Sequence, residues 1–305
     1  AFTDENGYYS MGSKFRIGPH YAVVFDNSQG FTIWGNWGPF AAANYNMGWH
    51  SKGGHDRTFG TNAKAWDWCS VNIAVFEYYQ NAKKDGIGLP PHNPRIWVFR
   101  HQSNASCAPM LRRVWHPIGY SSNSGWSNFF INITAGRLLT YTNTLLKFAL
   151  PDIVIGTGGG YNTYDIYESV NHELSHASHF NKVGSAFWAK YVNYIITYGK
   201  KYDHPYGDAS CNNSGFCGVG EMWGYAMGYI RTYEKYQQKP KNGQSKWFQP
   251  NLLYDLMTEK ILTKKQIFDC LSSDVTSHAL LKQKMISRYP SKKDSIIAKF
   301  SRYGF

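Results

Sequence analysis

The sequence predicts an α+β protein on three observations. Strand and helix signals alternate up to about residue 160, helical patterns alone follow, and no repeat at solenoid or propeller period runs through the chain. Its 305 residues are 43% hydrophobic, enough to bury a sizeable core in one unit with two lobes. Aromatics make up 17% and are spread along the chain, which is the distribution of packed structure and not of disorder. The expected division is residues 1–181, a mixed β-sheet with helices, and residues 182–305, mostly helical, with a cleft between the lobes and the boundary in "NKVGS".

In chain order, "HYAVVFDN" and "GFTIWGNW" are β-branched and aromatic runs joined by "NSQG", which predicts a hairpin. A helical pattern from about Ala63 to Lys84 is ended by "KDGIGLPP". "RIWVFRH" reads as a strand, "GRLLTYTNTLLKFAL" as a helix, and "PDIVIG" as a strand stopped by "TGGG". Beyond Asn162 come "YESVNHELSHASHF", "SAFWAKYVNYIITYGKKY", "GEMWGYAMGYIRTYEKY" and short helices from Pro250 onward.

Several function classes fall away. No segment approaches the ~20 apolar residues of a membrane span. "DIVIGTGGGYNTYD" imitates a dinucleotide-binding turn, but the third glycine of GxGxxG would have to be Tyr161 or Thr163. The net charge of +12 is concentrated after Arg231, where 15 Lys or Arg face 6 Asp or Glu. These charges are scattered singly through helical patterns, so a solvated face is expected and no nucleic-acid groove. The five cysteines show no CxxC spacing; Cys211 and Cys217 bracket "NNSGF" and can close a short disulfide in an oxidising compartment, Cys69 with Cys107 is the other pair that could form, leaving Cys270 over, and all five could equally be reduced. Sequons stand at Asn104, Asn132 and Asn212. "AFTDENGYYS" lacks an initiator Met, a basic region and an apolar region, and the expected location is secreted, extracytoplasmic or at the cell surface.

The chemistry lies in "YESVNHELSHASHF". With His172 at zero on a helix of ~100° per residue, His176 falls near +40° and His179 near −20°, while Ile166, Val170, Leu174 and Ala177 lie between about 120° and 200°. The histidines form one face and the apolar residues the other, so the core-histidine reading is weakened. His172, Glu173 and His176 make HExxH, which composition alone would produce in about one such sequence per hundred. Imidazoles four residues apart rise ~6 Å along the axis and can reach one Zn²⁺, with Glu173 beside them to take a proton. His179, a further ~4.5 Å along, is expected to line the cleft or support the ligands from outside.

On these residues, in a strand-then-helix context, the chain resembles the zincin metallopeptidases. The resemblance covers about Asp152 to Tyr229. It implies a two-lobed catalytic unit that hydrolyses peptide bonds with zinc-activated water, Glu173 acting as general base and zinc polarising the carbonyl. The metzincin continuation HExxHxxGxxH is absent, since His179 stands for the Gly and Lys182 for the third His. The gluzincin pattern takes a Glu from a later helix, and Glu221, Glu234 and Glu259 follow His176. Glu234 and Glu259 lie beside lysines in stretches that read as solvated. Glu221 opens a helix in which Gly224 and Gly228 share its face; helix glycines cost about 1 kcal/mol each, and close approach of another backbone is a reason for them. Glu221 is therefore the expected third ligand, the alternative being a first-turn acid favoured by the helix dipole, with Asp203 or Asp208 on the metal.

Glu168 and Asp165 share the histidine face and are expected to orient the imidazoles. Tyr225, and His204 or Tyr206 in "YDHPYGD", are candidates for the oxyanion donor that the sequence does not rank, Tyr225 being carried as the catalytic candidate. "PDIVIG" is the strand along which a peptide would add. The substrate is expected to be a peptide or protein; the Trp-rich "FTIWGNWGPF" and "AWDWCS" would suit a glycosylated one, although buried Trp is the plainer account. Two rival readings are a catalytically silent zincin-like domain that binds glycan or protein, and a basic envelope- or nucleic-acid-binding protein.

Overall fold

The computed structural model describes residues 1–4, 7–35, 41–100, 106–118, 151–158, 160–202, 206–240 and 246–305. The expected helix at residues 136–150, the sequons at Asn104 and Asn132, and His204 lie outside them, as do Asp203 and Trp37. Among the described residues the chain is an α+β fold with two small sheets, eight α-helices and no closed barrel. No described helix is long and apolar enough to cross a membrane.

Strands β1 (His20–Val24) and β4 (Asn44–Trp49) pair antiparallel as a separate ribbon. The larger sheet has the order β2 (Asp26–Asn27), β3 (Phe31–Trp34), β5 (Arg95–Phe99), β6 (Ile153–Gly156). The first pair is antiparallel and the other two are parallel. The predicted hairpin is thus correct only at its tip, where Asp26 and Asn27 face Thr32 and Phe31. The chain leaves the ladder at Phe25, whose amide bonds the carbonyl of Ala43, and β1 takes β4 as its partner. Buried Phe25 and the Ala43 bridge win over the local turn signal.

Helix α1 (Lys64–Asp85) and β5 follow their patterns: Trp68, Val71, Val75, Tyr78 and Ala82 face inward at helical spacing, and Ile96 and Val98 alternate inward. All four residues of β6 are buried. Its outer edge is occupied, because Cys107 exchanges both backbone hydrogen bonds with Val154 (2.9 and 2.8 Å). The expectation that substrate would add along β6 therefore meets an edge already paired at its centre.

The helical remainder is α2 (Leu111–Ile118), α3 (Thr163–Tyr202), α4 (Ser214–Tyr236), α5 (Asn251–Thr258), α6 (Lys264–Cys270), α7 (His278–Arg288) and α8 (Lys293–Arg302). Within α3, Gly184 (φ 82°, ψ 175°) interrupts the helical backbone, so the element is two helices meeting at one residue. This break lies inside "NKVGS". One continuous cluster of buried side chains runs from Phe25 to Phe300, across the expected lobe boundary.

Candidate metal centre

The first half of α3 starts on a reciprocal cap: the Asn162 amide bonds Asp165 Oδ2 and the Asp165 amide bonds Asn162 Oδ1. Asp165 is thereby engaged at the helix start, two turns from the imidazoles it was expected to orient. From Val170 to Phe180 every residue is buried. Three of the polar ones are tied locally or across helices: Ser175 and Asn171 donate to carbonyls four residues back, and the Ser178 hydroxyl meets Tyr78 at 2.8 Å. The expected apolar face packs inward, but the histidine face is buried as well, because α4 lies across it.

Glycines make that approach. A Cβ at Gly224 would stand 2.6 Å from His176 Nε2, 2.7 Å from His176 Cε1 and 3.2 Å from His172 Cε1. One at Gly228 would meet the Glu168 carbonyl oxygen at 3.1 Å and His172 Cβ at 3.4 Å. The Trp223 indole bonds the Ser175 carbonyl (3.2 Å) between them. The close-approach reading of Gly224 and Gly228 thus matches the packing. Gly224→Ala is expected to push both rings off their present positions and weaken zinc binding about 100-fold, while a circular dichroism spectrum stays helical. Unchanged zinc affinity in a competition titration would show that the rings do not hold the ion.

The site is a triangle. His172 Nε2 and His176 Nε2 are 2.9 Å apart, and Glu221 Oε2 stands 3.5 Å from the first and 3.7 Å from the second. A point equidistant from the three lies about 2.0 Å from each, which is the length of Zn–N and Zn–O bonds, about 2.0–2.2 Å. His172, Glu173 and His176 also offer atoms within 4.8 Å of one another, so two carboxylates compete for the third place. Glu221 is the better placed, since it is near both rings, whereas Glu173 Oε1 lies 3.8 Å from His172 Nε2. Its charge also favours it. Burial alone would raise Glu221, but His176, His172 and the Tyr191 hydroxyl outweigh burial and hold it below its ordinary value. Glu173 goes the other way, raised well above its ordinary value by burial and then by the Glu221 charge. Burial, followed by His176, pushes His172 down to about 3, leaving a neutral ring with a free lone pair.

Glu221 is eight residues into α4 and only 3% exposed, so the first-turn, dipole-favoured alternative is corrected. Its Oε1 accepts a hydrogen bond from the Tyr191 hydroxyl, while Oε2 is buried with no hydrogen-bond partner and aims at the two imidazoles. Glu234 is instead paired with Arg231 and Lys264, and Glu259 with Lys299. Tyr191, on the second half of α3, was not foreseen; thirty residues separate it from Glu221. Tyr191→Phe is expected to lower zinc affinity about 10-fold by leaving Oε1 unsatisfied and free to turn. Equal affinities for the two proteins would assign Tyr191 to packing alone.

Tyr225, one of the oxyanion candidates, stands beside His172. Its ring stands edge-on to the His172 ring, centroids 4.3 Å apart, and its hydroxyl meets the Tyr206 hydroxyl at 2.8 Å. Burial, and then the Glu221 charge, raise both phenols well above 10, so both keep their protons. Lys246, also unforeseen, holds its Nζ over the rings of Tyr225 (4.6 Å), Tyr206 (4.7 Å) and Phe248 (5.9 Å).

Other expected residues are placed differently. His179 is fully buried with its ring against Phe187 and Trp188, and neither nitrogen has a hydrogen-bond partner. It packs among aromatics and neither lines a cleft nor orients a ligand by hydrogen bonding. Glu168 sets its Cγ against Gly228 and shares a hydrogen bond with Tyr164. His176 Nδ1 is buried without a partner, so no carboxylate orients that ring as expected. All five cysteines are free thiols, including Cys211 and Cys217.

The fold and the site define an α+β protein with a buried His–His–Glu constellation and a second glutamate beside it. No family model, curated protein or solved structure matches the chain.

Proposed function

We propose that this chain is a zincin-like, zinc-dependent peptidase with the gluzincin ligand set His172, His176 and Glu221. The observation that carries the reading is the triangle of Nε2, Nε2 and Oε2, whose centre lies a zinc-bond length from all three atoms. The donor set fits the ion: the neutral imidazole of His172, the imidazole nitrogen of His176 beside it and one carboxylate held charged, with Oε2 lacking any other partner. Bound there, zinc would lower the pKa of a water molecule and polarise a peptide carbonyl.

The chain's own residues supply the rest. Glu173, nearly buried and close to His172, accepts the proton of the attacking water and returns it to the leaving amine. Its raised pKa suits a group that must hold a proton for part of the cycle, and a neighbouring dication would lower that pKa again. Tyr225, protonated and beside His172, donates to the oxyanion that develops on the substrate. The substrate is a peptide or protein.

Metal analysis joined to a cleavage assay tests the proposal. Purified protein is expected to carry near-stoichiometric zinc and to cleave casein. A chelator is expected to remove both, and zinc to restore both. A metal-free protein that binds DNA with a steep salt dependence would replace this reading with the basic-protein alternative. Zinc without cleavage would favour the silent, binding-only domain.

A further inference from the structure

Lys246 stands beside the proposed centre without an obvious task. None of the ion pairs among the described residues includes it, whereas Lys264 and Lys299 are matched with carboxylates. Its ammonium is held instead by the faces of Tyr225, Tyr206 and Phe248, a cage that steadies a cation while leaving its charge unneutralised. The cage is rigid. Tyr225 stacks on Phe248 with centroids 5.8 Å apart, Tyr206 packs edge-on to Phe248 at 5.4 Å, and the two phenols are hydrogen bonded to each other. Trp247 anchors the segment by donating to the Tyr206 carbonyl at 3.0 Å.

The position follows from the same rings. Tyr225 packs against His172, centroids 4.3 Å apart, and carries Lys246 over its face, so a fixed positive charge shares a ring with one of the proposed metal ligands. Glu221 is the carboxylate whose field reaches Lys246, and its own oxygens are committed to Tyr191 and to the imidazoles. The ammonium thus lies beside the centre with aromatic rings for neighbours.

We infer that Lys246, caged by Tyr206, Tyr225 and Phe248, is a carboxylate-binding subsite that selects peptides bearing an acidic group close to the scissile bond. This deepens the peptidase reading and rests on it for the bond that is cut, but not for the binding itself. The carboxylate has two sources, an Asp or Glu side chain or the peptide's own C-terminus, and the lysine recognises the charge they share.

The test uses the full chain, zinc-loaded, with Glu173→Gln to hold peptide without turnover. Two labelled decapeptide pools are compared by fluorescence polarisation, one containing Asp and Glu and the other Asn and Gln at the same positions, each with free and with amidated C-termini. The acidic pool is expected to bind at least tenfold more tightly. Lys246→Met is expected to abolish the difference and Lys246→Arg to keep most of it, with zinc content unchanged in both. A preference that follows the free C-terminus assigns the α-carboxylate; one that survives amidation assigns the side chain. Cleavage by the wild-type protein is scored on the same pools. Cleavage without acidic preference overturns the subsite and spares the peptidase. Acidic preference without cleavage spares the subsite and overturns the peptidase. Loss of preference in Lys246→Arg as well as Lys246→Met, with zinc retained, would assign the residue to packing and overturn the subsite.

Discussion

Glu173→Gln is expected to lower kcat by about 10³-fold while leaving bound zinc at the wild-type level. Gln keeps the volume and the hydrogen-bonding reach of Glu, so the buried position, 4% exposed, stays filled and the fold is undisturbed. What it loses is the ability to take up a proton and hand it on, and that loss falls in the transition state alone, so kcat should drop and KM stay near its wild-type value. The measurement is steady-state cleavage with metal analysis on the same preparation. Full activity would remove Glu173 from the mechanism. Loss of zinc together with activity would make Glu173 a ligand, the arrangement in which it completes a set with His172 and His176 in place of Glu221.

Glu221→Ala is expected to have the second large effect, on stability as much as on chemistry. A ligand that binds only the folded state stabilises it by RT ln(1 + [L]/Kd), about 2.7 kcal/mol when free zinc is 100 times Kd. For a chain of this length that corresponds to about 4 °C in Tm. Zinc is expected to raise the wild-type midpoint by that amount and to leave Glu221→Ala unmoved, since one of its three donors is gone. Glu234→Ala serves as the control, because that carboxylate is tied to Arg231 and Lys264 at the surface, and its zinc-dependent shift should match wild type. Differential scanning calorimetry with and without zinc reads both. A shift retained in Glu221→Ala and lost in Glu173→Gln would reverse the two glutamates' roles.

Much of the fold was legible because its signals are short-range. The pattern from Ala63 to Lys84 became a helix at Lys64–Asp85, and "RIWVFRH" and "PDIVIG" became strands at Arg95–Phe99 and Ile153–Gly156. Strand pairing was harder, since β1 and β4 find each other across nineteen intervening residues and no turn residue announces it. The start of α4 was missed for a related reason. The helix was expected from Gly220 and starts at Ser214; "SGFCGVG" carries three glycines, yet all three lie in the helix at points of close packing. A Cβ at Gly215 would stand 1.9 Å from the Thr276 carbonyl oxygen, at Gly218 2.8 Å from His278 and at Gly220 3.2 Å from Tyr191. Tertiary contact overrides helix propensity there.

The site divides along the same line. HExxH could be read in the sequence because residues four apart on a helix are neighbours whatever surrounds them, and that local geometry alone brings His172 and His176 together. Gly224 and Gly228 marked the face that a second helix would meet, which pointed to Glu221. The sequence also determined, by composition and pattern, an α+β chain with no apolar stretch long enough to span a bilayer. Only the tertiary structure decided that α4 buries the histidine face, that Tyr191 holds Glu221, that His179 packs among aromatics, and that Lys246 lies caged beside His172. All but the His179 contacts with Phe187 and Trp188 join residues separated by tens of positions, and their distances are set by how whole helices pack, a property no single segment of the chain encodes by itself.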